Sequence, residues 1–183
     1  MDCKILAWNV RGASSKRNHS HIRDNLRKYS PDLVFLFEVH VQFARVRRFW
    51  DSLGYQVVEI QEARGHAGGI WVLQLSSSVF TFKNVNSTNQ VVSIEVFKGS
   101  HIWICSGVYA SPTPTERVRL WDYLCSLRAS FHLPWVLVGD FNETLLPSDQ
   151  RGGLFSHSRA ALFGRMIDEC DLLTLDQVGG RFT

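Results

Sequence analysis

The longest apolar runs in this chain have the length of single β-strands, and polar or turn-forming residues bound each of them. Residues 32–37 and 135–138 are rich in Val, Leu, Phe and Trp, a composition typical of strands that are buried on both faces. Between an earlier apolar run at 3–10 and the run at 32–37, apolar residues recur at helical spacing over Lys16–Tyr29. A second helical pattern follows at 42–53. The order strand, helix, strand, helix predicts an α/β domain.

The rest of the chain adds further strands and two more helices. Turn residues separate five strand-like runs, which predicts antiparallel pairing. These runs cover residues 55–60, 69–75, 79–83, 90–97 and 102–108. Helical spacing predicts helices at 115–130, with Val118, Leu120, Trp121, Leu124 and Leu127 inward, and at 158–170, and residues 172–175 are expected to form a last short strand. Because no linker divides the chain, we predict one domain over residues 1–183, with two mixed sheets packed face to face and helices on both outer sides.

Composition excludes several classes of protein. Hydrophobic residues make up 45% of the chain and charged residues 20%, proportions typical of a folded globular protein. No apolar run is long enough to predict a membrane span, and the N-terminus lacks the pattern of a signal peptide, so an intracellular location is expected. The four cysteines are scattered without a CxxC pair, which supports neither a disulfide framework nor a zinc site.

Basic residues are concentrated in three places, although the net charge is only +3. Such clusters suit a polyanionic partner, because neutralising phosphates releases counterions and increases affinity. Solvated helix faces are the alternative explanation for each cluster taken alone. The clusters are Arg11, Lys16 and Arg17; Arg45, Arg47 and Arg48; and Arg117 with Arg119.

Polar side chains follow four of the apolar runs, at the point where each predicted strand ends. They are Asn9, Glu38, Tyr109, and Asp140 with Asn142. Strand side chains alternate between faces, so Asp140 and Asn142 are expected to point the same way. Each residue alone could cap a turn. Together they favour a functional site, because ligands of open α/β sheets bind at the carboxyl ends of the strands.

The same residues suit a hard divalent cation. Mg²⁺ takes a few carboxylate or carbonyl oxygens and keeps several waters. Glu38 is the best candidate ligand, with Asn9 and Asp140 expected nearby. Cysteine and histidine do not cluster, which argues against zinc.

Five motifs in order carry a resemblance to a known family. They are Trp8-Asn9-Val10-Arg11-Gly12, Glu38 after an apolar strand, Ala67-Gly68-Gly69, Val108-Tyr109-Ala110-Ser111-Pro112 and Gly139-Asp140-Phe141-Asn142-Glu143. This order resembles the endonuclease/exonuclease/phosphatase superfamily, which includes deoxyribonuclease I and the apurinic endonucleases. Within it, the chain is similar to the endonuclease domain of plant LINE-type non-LTR retrotransposons. The later segments at 150–153, 158–159 and 179–183 fit that subgroup, and the resemblance covers essentially the whole chain.

The resemblance implies a four-layer α/β sandwich and hydrolysis of phosphodiesters with Mg²⁺ or Mn²⁺. Glu38 would bind the metal, and Asn9 would position the metal or its waters. Asp140 would orient or deprotonate the attacking water, while Asn142 and Tyr109 would stabilise charge in the transition state. The implied partners are DNA and a reverse transcriptase domain in the full element, and the implied location is the nucleus.

The chain departs from the family pattern in two respects. Family members carry a Ser-Asp-His motif near the end of the domain, and none occurs in these 183 residues. Arg11 stands where an acidic residue is often found, which favours phosphate contact there. We therefore expect a domain that is incomplete at its C-terminus, with its last strands missing and its activity impaired. The alternatives are a retroelement remnant that only binds nucleic acid, and a phosphatase or phosphodiesterase of the same fold acting on another phosphoester.

The glycine pair in the third motif has a structural interpretation. Glycine within or beside a strand permits a bulge or the close approach of another backbone. Gly68 and Gly69 precede the strand predicted at 69–75 and follow the turn at 64–66. We expect these glycines to serve packing in this way.

Overall fold

The computed structural model describes residues 2–63, 68–150 and 152–175, without the side chain of Lys16. The chain forms two compact units. The first comprises Met1–Tyr109 and Leu133–Asp140, and the second comprises Ala110–His132 and Phe141–Thr183.

Eight strands and four α-helices are present in the described residues. In chain order they are β1 (Ile5–Asn9), α1 (Lys16–Tyr29), β2 (Leu33–Phe37), a 3-10 turn (Phe43–Arg45), α2 (Arg47–Ser52), β3 (Tyr55–Gln61), β4 (Ile70–Leu75), β5 (Thr81–Ser87), β6 (Val91–Lys98), β7 (His101–Tyr109), α3 (Pro114–Ala129), β8 (Trp135–Asp140), a second 3-10 turn (Pro147–Asp149) and α4 (His157–Glu169).

The strands of the first unit form two mixed sheets of four strands each. Their orders are β1-β2-β4-β3 and β5-β6-β7-β8. Each sheet has one parallel pair, β1 with β2 and β7 with β8, and the other pairs are antiparallel. In each parallel pair the last residues lie opposite each other, Asn9 beside Phe37 and Tyr109 beside Asp140. The carboxyl ends of two parallel pairs are therefore available to build a site.

Strand β2 is buried on both faces, which explains its unbroken apolar sequence. None of its residues is more than 1% exposed. Leu33, Phe35 and Phe37 point into the core between the two sheets, where they join Val92, Ile94 and Cys105 of the second sheet. Val34 and Leu36 point the other way, into a separate core. The prediction of two sheets packed face to face is confirmed.

That separate core lies between the first sheet and helices α1 and α2. Ile22 and Leu26 of α1 and Trp50 of α2 pack there with Trp71 and other apolar residues of the sheet. The Ser15 side chain caps α1 by accepting a hydrogen bond from the Asn18 backbone N–H at 3.1 Å, a contact typically worth about 1 kcal/mol. One outer layer of helices is thus present within the first unit.

The second unit is built around helices α3 and α4. Trp121 of α3 packs against Phe163 of α4 with ring centroids 4.9 Å apart, and Phe141 lies 5.5 Å from Phe163. Leu120 and Leu124 of α3 are buried as expected. Val118 was expected to be buried as well, but it is 36% exposed, and the buried stripe includes Arg117 instead.

Three segments differ from the sequence-based expectation. The strand expected at 79–83 is β5, which begins at Thr81 and continues to Ser87. The helix expected over 42–53 is a 3-10 turn followed by the short α2, because Val46 adopts φ −119° and ψ 3°, which interrupts the helical backbone. The strand expected at 172–175 is irregular, and its Leu173 and Leu175 are 89% and 76% exposed. An isolated strand needs a neighbour for its backbone hydrogen bonds, and the described residues provide none at this position. Within the described part of the chain, no helix combines the length and apolar character needed to cross a bilayer.

Candidate functional site

Four of the five candidate residues meet in the first unit, at the carboxyl ends of its two parallel strand pairs. Asn9 is the last residue of β1, and Glu38 directly follows β2. Tyr109 and Asp140 are the last residues of β7 and β8 and lie opposite each other in the register. The expectation that strand ends would bring these groups together therefore holds for these four side chains.

The side-chain amide of Asn9 joins the two carboxylates. Its Nδ2 donates to Glu38 Oε1 at 2.7 Å and to Asp140 Oδ2 at 3.1 Å. Its Oδ1 accepts a hydrogen bond from the backbone N–H of Arg11 at 3.3 Å, which fixes the orientation of the amide. Two carboxylates thus share one donor group, an arrangement that concentrates negative charge at this point.

Tyr109 adds a second donor to Glu38. Its hydroxyl donates to Glu38 Oε1 at 3.1 Å, and the residue is only 9% exposed. Burial, the hydrogen bond to Glu38 and the charges of Glu38 and Asp140 together raise the pKa of Tyr109 to about 12. At neutral pH the phenol is therefore protonated and acts as a hydrogen-bond donor.

This environment predicts a late phenol titration in metal-free protein. We expect the difference between the absorbance titrations of wild type and Tyr109→Phe to have its midpoint near pH 12. The folded-state pKa lies above the unfolded value of about 10. The phenol therefore contributes stability that is fully present below about pH 10 and is lost as the pH rises to about 12. Urea unfolding of both proteins between these two pH values measures that loss. A midpoint at the unfolded value would contradict the contact with Glu38.

The backbone around Glu38 is unusual. Glu38 and His40 both have positive φ, at +54° and +50°, and Arg11 on the neighbouring loop has φ +46°. Each such non-glycine residue costs about 1–3 kcal/mol and persists where the surroundings enforce it, often at functional sites. Gly68 leaves room for this backbone, because a Cβ at that position would lie 2.6 Å from the Cα of Glu38. Gly68 thus permits a close backbone approach, as its sequence context suggested.

The chemistry of these side chains suits a divalent cation of the Mg²⁺ type. Both hydrogen bonds described for Glu38 use Oε1, and its Oε2 lies 3.9 Å from Nε2 of His40. The described residues contain no group of three or more His, Cys, Asp or Glu side chains that could form a complete cage. The carboxylates of Glu38 and Asp140 match the few protein oxygen ligands that Mg²⁺ takes while it keeps most of its waters, whereas the amide oxygen of Asn9 accepts from the Arg11 N–H.

Asn142 belongs to the second unit and adopts a different geometry from the one expected. Strand β8 ends at Asp140, and Asn142 has φ +48°, so strand alternation does not extend to it. The prediction that both side chains share a strand face was therefore wrong. Nδ2 of Asn142 donates to the carbonyl of Ala110 at 2.7 Å, within the same unit. Two peptide steps keep its Cα within about 7 Å of the Cα of Asp140.

A buried ionic cluster in the second unit was missed by the sequence analysis. Arg117 Nη2 donates to Glu143 Oε2 at 3.0 Å, and the two side chains are only 5% and 6% exposed. Arg159 Nε lies 3.4 Å from the same oxygen without hydrogen-bond geometry. Arg117 was grouped with Arg119 in a cluster that suits either a polyanion or a solvated helix face, and its burial excludes both interpretations for Arg117. Its position four residues before Trp121, on the buried stripe of α3, was the available signal.

The remaining candidates for nucleic-acid contact lie near the start of α1. Arg11 and Arg17 are exposed, as a phosphate contact requires, and Lys16 is the first residue of the helix. Several residues of the motifs and of the turn at 64–66 lie outside the described residues. They are His66, Ala67, Arg151 and the segment 179–183.

Comparison with known structures identifies many chains of the same fold. The endonuclease domain of TRAS1, a telomere-specific non-LTR retrotransposon, matches 91% of this chain and 71% of its own, with 14% identity and a TM-score of 0.64. The Neisseria 3′ phosphatase NExo, bound to product DNA hairpin, matches 92% of this chain and 71% of its own, with 18% identity and a TM-score of 0.65. Humanized D. rerio TDP2 matches 77% of this chain, with 17% identity and a TM-score of 0.58. At these identities the likeness establishes the fold.

The matched structures are longer than this chain. The chain spans 63% of the humanized TDP2 and 71% of the TRAS1 domain. No curated protein sequence gives a significant match. The sequence model of the Endonuclease/Exonuclease/phosphatase family matches residues 6–168. The chain therefore belongs to this family.

Proposed function

We propose that this chain is the DNA-nicking endonuclease domain of a non-LTR retrotransposon, hydrolysing a phosphodiester with the help of Mg²⁺ or Mn²⁺. Members of its family are hydrolases that act on phosphoester bonds. The observation that carries the proposal is the Asn9 amide, which holds the carboxylates of Glu38 and Asp140 together at the ends of two parallel strand pairs.

Each side chain has a proposed role in the reaction. Asp140 orients the attacking water and accepts its proton, and the 3.1 Å hydrogen bond from Asn9 Nδ2 keeps the carboxylate in position. Tyr109 is a buried, protonated donor beside Glu38, and its single O–H leaves Glu38 Oε1 to donate to the developing negative charge on phosphate. Asn142, two residues after Asp140 in the chain, is the second such donor. Removal of one donor of this kind typically costs about 10²–10³ in rate.

Glu38 is the proposed metal ligand, and Asn9 aligns it. Both bonds described for Glu38 use Oε1, which anchors that oxygen, and Oε2 lies 3.9 Å from Nε2 of His40. When bound, the cation would polarise a phosphoryl oxygen and stabilise the leaving oxygen. It would also neutralise the charge that Glu38 and Asp140 concentrate around Asn9.

DNA is the proposed substrate for two reasons. The TRAS1 domain is described as an endonuclease of a retrotransposon, and NExo was solved with a DNA product. The exposed Arg11 and Arg17, with Lys16 between them in sequence, offer positive charge at the start of α1 for backbone phosphates. A reverse transcriptase partner in the full element and a nuclear site of action follow from this proposal.

A plasmid assay tests the proposed function. Supercoiled DNA is incubated with the chain in Mg²⁺, in Mn²⁺ and in EDTA, and conversion to the open-circular form is measured. We expect metal-dependent nicking and a loss of roughly 10²–10³-fold in Glu38→Gln. Asp24→Asn is the matched control, because Asp24 is an exposed carboxylate on α1. The control should cleave as wild type does.

Other outcomes would support other functions. Nicking in EDTA, or full activity in Glu38→Gln, would contradict the proposed role of the metal and of Glu38. Release of a 3′ phosphate from a DNA end without nicking would favour a phosphatase. Absence of turnover together with salt-sensitive DNA retention would favour a domain that only binds nucleic acid.

A further inference from the structure

The ionic cluster of the second unit holds the two segments that meet at Asn142. Arg117 Nη2 donates to Glu143, the residue directly after Asn142, at 3.0 Å. Arg117 Nη1 donates to the carbonyls of Ser111 and Pro112 at 2.9 and 2.8 Å. One guanidinium group therefore fastens the segment after β8 and the loop after β7 to each other.

The same two segments meet again through Asn142 itself. Its Nδ2 donates to the carbonyl of Ala110, which directly precedes the loop residue held by Arg117. The position of the acceptor therefore depends on the loop that Arg117 holds, and the position of the donor depends on Glu143. Both ends of the Asn142 hydrogen bond are set by neighbours of Arg117.

The other neighbour of Asn142 is anchored by packing. The Phe141 ring lies 6.3 Å from Trp121 and 5.5 Å from Phe163, centroid to centroid. Asn142 has φ +48° between these two anchored residues. A left-handed backbone at a non-glycine residue is maintained where the surrounding structure enforces it. Phe141 and Glu143 supply that constraint from either side.

We propose that Arg117 is a positioning residue for Asn142, acting through Glu143 and through the carbonyls of Ser111 and Pro112. The effect on rate rests on the proposed endonuclease function, but the positioning does not. Arginine suits this task because its planar guanidinium carries five donors in a fixed geometry, whereas lysine offers a single ammonium on a flexible stem. Arg159 adds a second positive charge 3.4 Å from Glu143 Oε2, the oxygen that also accepts from Arg117.

A role in stability alone would explain the geometry of the Arg117–Glu143 pair less well than a positioning role does. Burying an ion pair costs desolvation energy, so such a pair is weak support for a role in stability alone. Both hydrogen bonds described for Nη1 of Arg117 are donated to backbone carbonyls of one loop. Bonds to a loop backbone specify where that loop lies, which is the property needed to place Asn142.

The test compares Glu143→Gln and Arg117→Lys with Arg119→Lys. Arg119 lies on the same helix, is 77% exposed and pairs with Glu116, so its substitution controls for the change of residue type. The first measurement is the side-chain amide resonance of Asn142 in two-dimensional NMR spectra, assigned by its absence in Asn142→Ala. We expect this resonance to move in Glu143→Gln and Arg117→Lys and to remain in place in Arg119→Lys.

The second measurement is catalytic and uses nicking kinetics. We expect kcat to fall about 10- to 100-fold in the two cluster variants, with KM changed far less. In the Asn142→Ala background, the same substitutions should cause no further loss of kcat, because their effect passes through Asn142. Glu143→Gln keeps the shape of the side chain and an acceptor oxygen for Arg117, so it provides a second, independent variant where Arg117→Lys does not fold.

The two measurements separate this proposal from the proposed function. If wild type does not cleave DNA, the endonuclease proposal fails, and the amide resonance still tests the positioning. An unmoved Asn142 resonance in a folded Glu143→Gln protein would overturn the positioning role. A loss of kcat that is equally large in the Asn142→Ala background would overturn it as well.

Discussion

Gly139→Ala is expected to destabilise the first unit more than any other alanine substitution of its turn and strand-end glycines. Gly139 has φ +138°, and a Cβ there would lie 2.0 Å from the carbonyl oxygen of Val108 and 3.0 Å from the Phe37 ring. Val108 is its register partner on β7, so the two strands would have to separate. Backbone strain and overpacking together predict a loss of roughly 3–5 kcal/mol. That is a large fraction of the 5–15 kcal/mol typical of a domain.

Urea unfolding measures this loss, and Gly99→Ala is the matched control. Gly99 also has positive φ, at +59°, but a Cβ there would meet nothing within 4 Å. The control therefore carries the cost of the backbone conformation alone, about 1 kcal/mol. Equal losses in the two variants would show that β7 and β8 do not approach as closely as described.

The close approach at Gly139 also bears on the candidate site. Gly139 directly precedes Asp140, and Val108 directly precedes Tyr109. A glycine at this point lets β8 lie beside β7 so that Asp140 comes opposite Tyr109. The destabilising effect of alanine and the placement of the two side chains thus have the same physical cause.

The apolar runs were sufficient to predict the two sheets and the strand ends that carry Asn9, Glu38, Tyr109 and Asp140. Burial on both faces requires apolar residues at every position, and β2 shows that pattern without interruption. A polar residue directly after such a run lies at the edge of the sheet, whatever the strand order. Periodicity and breakers therefore locate candidate residues without knowledge of their partners.

The partners themselves could not be predicted. Asn9 and Asp140 are separated by 131 positions, and their bond depends on the pairing of four strands across two sheets. The direction of the Asn9 amide depends on the backbone N–H of Arg11. Arg117 was interpreted as a surface charge because composition does not reveal that its guanidinium pairs with Glu143. Asn142 was predicted to continue the strand because the alternation of side chains along a strand does not reveal a residue with left-handed backbone.

Asp140→Asn is expected to have the largest effect on activity and little cost in stability. Asparagine keeps the shape of the side chain and its carbonyl oxygen accepts the bond from Asn9, but it cannot take a proton from water. Loss of a general base predicts a fall of roughly 10²–10⁴ in kcat. Asp24→Asn, on the exposed face of α1, should cleave as wild type does.

The stability of the same variant distinguishes a catalytic carboxylate from a structural one. In metal-free wild type, Glu38 and Asp140 both accept from the single Nδ2 of Asn9, so removing one negative charge relieves repulsion. We therefore expect the Tm of Asp140→Asn in EDTA to equal or exceed that of wild type. Mg²⁺ should raise the Tm of wild type more than that of the variant, because binding to the folded state stabilises it in proportion to affinity. A lower Tm in EDTA, with activity retained, would mean that Asp140 serves the fold rather than the reaction.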